Sequence, residues 1–208
     1  MNSQTERLML QGAAGQIEAL RDLPEQPSKG LGLICHPHPL FGGTMDNKVV
    51  QTLARAFVQT GWTALRFNFR GIGQSGGVYD EGRGEADDLR ELIKQLAPSG
   101  SALAIAGFSF GSFVASQVLA DATQSNDLQK IVFVGTAASR FAVANIPTEL
   151  HDKLIVIHGE HDDTVPLKSV MDWARPQVIP VTVVPGGGHF FHGQLPLLRG
   201  LVARHLLS

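Results

Sequence analysis

One serine in the middle of the chain lies in a pattern that is typical of a catalytic nucleophile. Residues 107–111 read Gly-Phe-Ser-Phe-Gly, and they join the apolar segment 102–108 to an Ala- and Val-rich segment with helical character. At a strand-to-helix turn, G-x-S-x-G holds the serine in a strained conformation with its Oγ exposed, and the glycines let strand and helix pass closely. The same residues could form a plain tight turn, so Ser109 needs partners elsewhere in the chain.

A serine hydroxyl needs a neighbouring base, and that base needs an acid that orients it. In this arrangement the chain order is serine, acid, histidine, and each residue follows a strand. Residues 153–159 predict a strand, and the loop after it contains Asp162 and Asp163. Residues 178–186 predict another strand, and the Gly-rich loop after it contains His189. The order favours a catalytic triad, although a loop aspartate or histidine taken alone is often only a turn or cap residue.

Acyl transfer also requires two backbone N–H groups that stabilise the oxyanion. Phe110, directly after the serine, supplies the first of these in this motif. We expect the second in the loop 36–47, which follows an earlier predicted strand. The prolines of this loop lack an N–H, so the candidates are Leu40 and Phe41. We choose Leu40 because residues 38–40 align best with the usual His-Gly-x arrangement.

Several phenylalanines lie next to the candidate catalytic residues. Phe41, Phe108 and Phe190 are predicted to line an aromatic acyl pocket. Packing in the hydrophobic core is an equally good interpretation for any one of them.

The elements around these residues alternate between strand-like and helix-like segments. Such alternation predicts an α/β fold with a mostly parallel sheet and helices on both faces. Residues 6–12 and 15–22 predict an antiparallel N-terminal hairpin at one edge. Ligands of such sheets bind beyond the C-terminal ends of the strands, which is where the three candidate residues follow their strands. The length predicts a single domain that spans residues 1–208.

Composition and charge argue against several other classes of function. The chain has 208 residues, of which 43% are hydrophobic, and its formal net charge is −2. This near-neutral balance lacks the basic character of nucleic-acid-binding domains. No apolar run approaches the ~20 residues of a transmembrane helix, and no signal peptide is visible. The only cysteine, Cys35, fits a cytoplasmic protein without disulfides and is expected to pack in the core.

Taken together, these motifs resemble those of the α/β-hydrolase superfamily. Residues 107–111 resemble its nucleophile elbow, residues 158–166 its G-x-x-D-x-x-V-P acid loop, and residues 186–191 its histidine loop. The resemblance extends over nearly the whole chain and implies the α/β-hydrolase fold. It places the acid at Asp162, three residues after Gly159, and not at Asp163.

Residues 36–50 resemble a narrower group, a small bacterial family of compact hydrolases. That family is related in shape to dienelactone hydrolases, which use a cysteine nucleophile where this chain has Ser109. Many lipases insert a lid before the acid-bearing strand, but the corresponding connection here, residues 137–152, is too short for a cap domain. We therefore expect an open, shallow site for short-chain or exposed acyl groups.

The resemblance implies a serine hydrolase that uses Ser109, His189 and Asp162 through an acyl-enzyme intermediate. A carboxylesterase acting on a small-molecule acyl substrate is the first hypothesis. A thioesterase or peptidase-type acyl hydrolase would use the same residues, and a non-catalytic ligand-binding scaffold is an alternative from another class. Monomer and homodimer both stay open.

Histidines occur in pairs along the chain, which makes metal-dependent hydrolysis an alternative hypothesis. The pairs are 36/38, 158/161 and 189/192. None of them forms the helical H-E-x-x-H pattern of zinc hydrolases. We therefore expect no metal and no cofactor, no nucleic-acid partner and no membrane association.

Overall fold

The computed structural model describes residues 5–97, 100–120 and 127–208, and its centre is an eight-stranded sheet. The strands are β1 Thr5–Gly12, β2 Gly15–Asp22, β3 Leu31–Cys35, β4 Thr63–Phe67, β5 Leu103–Phe108, β6 Leu128–Val134, β7 Leu154–Gly159 and β8 Val181–Val184. The α-helices are α1 Lys48–Gln59, α2 Arg83–Leu96, α3 Phe110–Ala120, α4 Leu167–Ala174 and α5 Leu195–Leu207. Short 3₁₀ helices cover Pro39–Phe41, Thr148–Lys153 and Arg175–Gln177.

The strands follow the order β1-β2-β4-β3-β5-β6-β7-β8 across the sheet. The hairpin of β1 and β2 pairs antiparallel, and β2 also runs antiparallel to β4. From β4 to β8 all neighbouring strands are parallel. The predicted mostly parallel sheet with an antiparallel edge hairpin is confirmed.

Helices cover both faces of the sheet, as predicted. On one face, α2, α3 and α4 bury residues such as Leu89, Val114 and Val170. On the other face, α1 and α5 bury residues such as Leu53 and Val202. Because both faces are covered, the inner strands are apolar throughout rather than alternating. Cys35 is fully buried at the end of β3, as expected.

The connection between β6 and β7 is short. It contains only the 3₁₀ helix Thr148–Lys153, so the expected absence of a cap domain is confirmed for this fold. Helix α5 begins at Leu195, one residue before Pro196, because proline is well tolerated in the first turn of a helix. Among the residues that the structure describes, no helix has both the length and the apolar character needed to cross a bilayer.

Candidate active site

Ser109 forms the turn between β5 and α3. Its φ is +56°, in the left-handed region that costs a non-glycine residue roughly 1–3 kcal/mol. The turn is held because the Ser109 N–H donates to the Val134 carbonyl at 2.8 Å, and the Ser112 hydroxyl donates to the Gly107 carbonyl at 2.7 Å. Strained backbone of this kind persists where the surrounding structure fixes it, and here it sets the position of the serine side chain.

The two glycines of the motif are required by close packing. A Cβ atom at Gly107 would lie 2.4 Å from the Ser112 nitrogen, and one at Gly111 would lie 2.2 Å from the Cys35 carbonyl oxygen. Both contacts are with backbone atoms, which cannot rotate away. The small residues therefore let β5, α3 and the end of β3 meet at one point.

The side chain of His189 lies between those of Ser109 and Asp162, although the three residues are far apart in the sequence. Its Nδ1 lies 2.7 Å from Asp162 Oδ2, and its Nε2 lies 3.1 Å from Ser109 Oγ. A carboxylate only accepts hydrogen bonds, so Nδ1 carries the proton and Nε2 presents a lone pair to the serine hydroxyl. All three side chains are buried or nearly so. Chemically, this arrangement can remove the proton from Ser109 Oγ as it attacks an electrophile.

The loop after β7 distinguishes the two neighbouring aspartates. Asp162 Oδ1 accepts from the N–H groups of Thr164 at 3.0 Å and Val165 at 2.7 Å, which leaves Oδ2 for His189. Asp163 is exposed, and its carboxylate accepts a hydrogen bond from the Thr164 hydroxyl at 3.4 Å. The structure thus brings Asp162, and not Asp163, to the histidine.

His158 packs behind Asp162. Its Nε2 donates to the Val165 carbonyl at 2.8 Å and lies 3.5 Å from Asp162 Oδ2. Burial lowers the pKa of His158, which keeps the ring neutral. Its Nδ1 has no hydrogen-bond partner among the described residues. The ring therefore supports the acid loop through its Nε2–H alone.

The loop after β3 places Leu40 differently from the sequence expectation. The Leu40 N–H donates to Nδ1 of His38 at 3.2 Å, and the Phe41 N–H donates to the His38 carbonyl at 3.1 Å. The Leu40 side chain is 65% exposed. Both candidate amides are therefore already engaged in the 3₁₀ helix Pro39–Phe41, which His38 caps.

The backbone N–H groups of Phe110 and His38 have no hydrogen-bond partner among the described residues. The sequence pattern of the nucleophile elbow selects the Phe110 N–H as a candidate donor and does not select that of His38. Both residues line the same cavity as Ser109 and His189. Leu40 is selected when residues 38–40 are aligned with His-Gly-x. Residues 36–38 also match this pattern, with proline in place of glycine, and that match selects His38.

The cavity around these groups has a volume of about 360 Å³. Phe41 and Phe190, two of the three phenylalanines expected to line an acyl pocket, border this cavity. Phe108 does not, because it is fully buried and its ring packs 4.9 Å from that of His189. Phe108 ends a strand whose two faces are both covered, so its side chain supports the histidine from the core. Phe141, from the β6–β7 connection, was not predicted and also lines the cavity.

The histidines of the loop after β3 are committed to hydrogen bonds within the protein. His36 Nε2 accepts from the Phe69 N–H at 2.9 Å, and its Nδ1 donates to the Pro37 carbonyl at 2.6 Å. Burial lowers the pKa of His36 to about 4. His38 lies 3.2 Å from the Tyr79 hydroxyl through Nε2. Across residues 5–97, 100–120 and 127–208, no group of three or more His, Cys, Asp or Glu side chains is placed to hold a metal ion.

A second, larger cavity of about 520 Å³ lies elsewhere on the molecule. Its lining includes Asp22, Arg55, Arg66 and Arg199. It does not include Ser109, Asp162 or His189. Size alone does not identify the reaction site. We assign the site to the smaller cavity because it contains the only serine that faces a histidine base within the described residues.

Comparison with known proteins identifies the family of the chain. The model of a hydrolase family described as serine aminopeptidase S33 matches residues 28–151. The chain belongs to this family of α/β-hydrolases. The matched region includes Ser109 and the loop after β3, and it ends before Asp162 and His189.

Individual relatives extend the likeness over the rest of the chain. A lidless α/β serine hydrolase from Xanthomonas campestris is 33% identical, with a TM-score of 0.84 over 99% of this chain and 95% of that one. An α/β serine hydrolase homologue from Coxiella burnetii is 36% identical, with a TM-score of 0.82 over 97% of each chain. An uncharacterized protein of Rickettsia prowazekii is 31% identical over 89% of this chain and 82% of its own length. The fold is therefore that of a lidless α/β-hydrolase.

Proposed function

We propose that this protein is a serine hydrolase that cleaves small carboxylic esters through an acyl-enzyme intermediate. Ser109 is the nucleophile, His189 is the general base and acid, and Asp162 orients His189. The observation that carries the proposal is the continuous hydrogen-bonded chain from Asp162 Oδ2 through His189 to Ser109 Oγ, with distances of 2.7 and 3.1 Å.

The reaction follows from the direction of these hydrogen bonds. Ser109 Oγ attacks the ester carbonyl carbon while its proton moves to His189 Nε2. The tetrahedral intermediate collapses, and His189 returns the proton to the leaving alkoxide. A water molecule then gives a proton to His189 and attacks the acyl-serine. The second tetrahedral intermediate collapses and releases the acid, and His189 returns the proton to Ser109 Oγ. Asp162 stabilises the imidazolium form of His189 in both halves of the cycle.

The oxyanion of each tetrahedral intermediate is assigned to the free backbone N–H groups of Phe110 and His38. This retains Phe110 from the sequence analysis and replaces Leu40, whose amide is engaged by the His38 ring. A single donor of this type contributes about 3–4 kcal/mol to transition-state stabilisation in a known hydrolase.

The lining of the cavity favours esters over the N-terminal peptides that an aminopeptidase cleaves. Recognition of a protonated α-amino group would be favoured by a carboxylate in the site. Within the described residues, no Asp or Glu lines the cavity, and Arg140 adds a positive charge to it. A volume of about 360 Å³ and the lack of a cap domain suit short-chain or exposed acyl groups.

We also propose that residues 1–208 act as one domain in the cytoplasm on a small-molecule acyl substrate, without a cofactor. The single eight-stranded sheet and the one cysteine, which is buried, support this view.

The test uses a fluorophosphonate probe together with p-nitrophenyl acetate and butyrate. We expect Ser109→Ala to abolish labelling and to lower kcat by about 10⁴-fold or more, because the nucleophile is removed. Ser139→Ala is the matched control, since this exposed serine lies on the β6–β7 connection outside the hydrogen-bonded chain. Turnover that survives in Ser109→Ala would overturn the proposal.

A further inference from the structure

Arg140 is a charged residue in the active-site cavity that the reaction above does not use. It lies on the connection between β6 and β7 and lines the cavity together with Ser109 and His189. Its guanidinium makes no hydrogen bond and no ion pair with any residue that the structure describes. By contrast, the buried Arg66 pairs with Asp22, and the partly buried Arg70 pairs with Asp88. Arg140 therefore has its full hydrogen-bonding capacity available for a ligand.

The backbone around Arg140 is well fixed. The N–H groups of Arg140 and Phe141 both donate to the Ala137 carbonyl, at 3.2 and 3.1 Å. The Phe141 ring stacks on Phe113 of α3 at 4.8 Å. The Gln117 side chain donates to the Ala142 carbonyl at 3.1 Å. These contacts anchor the connection to α3, so Arg140 extends from a defined point at the edge of the cavity.

The charge of Arg140 is not neutralised within the cavity. No Asp or Glu is among the described lining residues. The nearby Asp162 is buried, and its oxygens are taken by His189 and by two backbone amides. Burial, together with the positive charge of Arg140, lowers the pKa of His38, a lining residue. Arg140 thus acts electrostatically on a residue of the cavity wall.

We propose that Arg140 binds a carboxylate on the substrate, so that the enzyme prefers esters whose acyl chain carries a second, ionised carboxyl group. This inference rests on the proposed ester hydrolysis at Ser109. A guanidinium presents a planar fork of N–H donors that matches a carboxylate in a bidentate hydrogen bond. The acyl half of a dicarboxylic acid monoester would then extend from Ser109 toward Arg140.

The experiment compares esters of equal length with and without the charge. Monomethyl glutarate and monomethyl adipate are paired with methyl pentanoate and methyl hexanoate, and hydrolysis is followed by pH-stat titration. We expect Arg140→Gln to lower kcat/KM roughly tenfold for a charged ester of at least one pair and to leave its neutral partner within about twofold. Arg140→Lys keeps the charge but loses the fork, so its loss should be intermediate.

Two controls separate local binding from net charge. Arg199→Gln makes the same charge change on α5, at an exposed residue outside this cavity, and should leave the selectivity unchanged. Added salt should reduce the preference for the charged ester in the wild type, because an exposed charge pair is screened.

The failure of this inference can be told apart from the failure of the proposed function. If Ser109 reacts with the fluorophosphonate and neutral esters are cleaved, but Arg140→Gln has the same selectivity as the wild type, the carboxylate site is refuted and the esterase stands. If the methyl esters are not cleaved, adipate and hexanoate are compared as protectants of Ser109 against the probe. Stronger protection by adipate that disappears in Arg140→Gln supports the site, and equal protection refutes it.

Discussion

At the scale of single residues, the two oxygens of the Asp162 carboxylate have different hydrogen-bond partners. Oδ1 accepts two backbone N–H groups of its own loop, and Oδ2 accepts from His189 Nδ1. The first set of bonds fixes the carboxylate, and the second fixes the tautomer of the imidazole. His158 makes a further contact with this carboxylate, with its Nε2 at 3.5 Å from Oδ2. A fixed carboxylate is what allows the histidine to act as a base without reorienting.

The substitution Asp162→Asn tests this arrangement directly. The amide oxygen can still accept from Thr164 and Val165, so the loop should keep its shape. The amide nitrogen, however, would face His189 Nδ1 with a donor, which forces the proton onto Nε2 and removes the lone pair that Ser109 needs. We expect kcat on p-nitrophenyl butyrate to fall by about 10³- to 10⁴-fold with an unchanged circular dichroism spectrum.

Asp163→Asn is the matched control for that experiment. Asp163 is adjacent in the sequence, exposed, and accepts a hydrogen bond from the Thr164 hydroxyl. Its variant should keep kcat within about twofold of the wild type, as expected for a surface substitution. Equal losses in the two variants would mean that the acid has been assigned to the wrong aspartate.

At the scale of elements, three segments converge on the elbow. The turn after β5 brings the first residues of α3 against the end of β3, and Gly111 is the point of contact. The end of β3 continues into the loop that carries His36 and His38. Packing at Gly111 therefore sets the distance between the two free N–H groups assigned to the oxyanion.

Gly111→Ala should be destabilising for this reason. Its Cβ would lie 2.2 Å from the Cys35 carbonyl oxygen, so β3 and α3 must separate. We expect a loss of at least about 2 kcal/mol in the free energy of unfolding, measured by urea denaturation. Ester hydrolysis should fall as well, because the His38 amide moves with β3.

Gly200→Ala provides the comparison in another helix. A Cβ at this position in α5 meets no atom within 4 Å, and alanine is the better helix former. This variant should be neutral or more stable by up to about 1 kcal/mol. If Gly111→Ala is equally harmless, the close approach of β3 and α3 does not limit the residue at the elbow.

The elements could be predicted from the sequence because hydrophobic pattern and turn residues decide them. Strands covered on both faces appear as continuous apolar runs, and their C-terminal ends located Ser109, Asp162 and His189. For the same reason the sequence does not show that Phe108 is buried away from the cavity. A strand that is covered on both faces has no alternation of polar and apolar residues from which the direction of a side chain could be predicted. The sequence also does not show that the Leu40 N–H, the candidate oxyanion donor, is already engaged. The turn Pro39–Phe41 depends on the His38 ring accepting the Leu40 N–H, a side-chain contact that local pattern does not encode.

At the scale of the whole molecule, burial affects the protonation of histidines on several elements of the fold. Burial lowers the pKa of His36, His158 and His205, and it contributes to the lowered pKa of His38. A lowered pKa means that the folded protein holds these rings neutral while the unfolded chain protonates them. Between the folded and unfolded pKa values the unfolded state binds more protons, so stability falls as the pH falls. The fold should therefore be less stable at mildly acidic pH, beyond any effect on catalysis.

His36 allows this linkage to be measured. Its pKa of about 4 in the folded state, against 6.5 in the unfolded chain, implies a loss of about 2 kcal/mol in unfolding free energy between pH 7 and pH 5. In His36→Gln the side-chain oxygen can still accept the Phe69 N–H but cannot titrate. We expect urea denaturation of this variant to show a pH-dependent loss smaller than the wild type's by about that amount. The exposed His192→Gln should behave like the wild type, and identical losses in all three proteins would mean that protonation of His36 does not oppose folding.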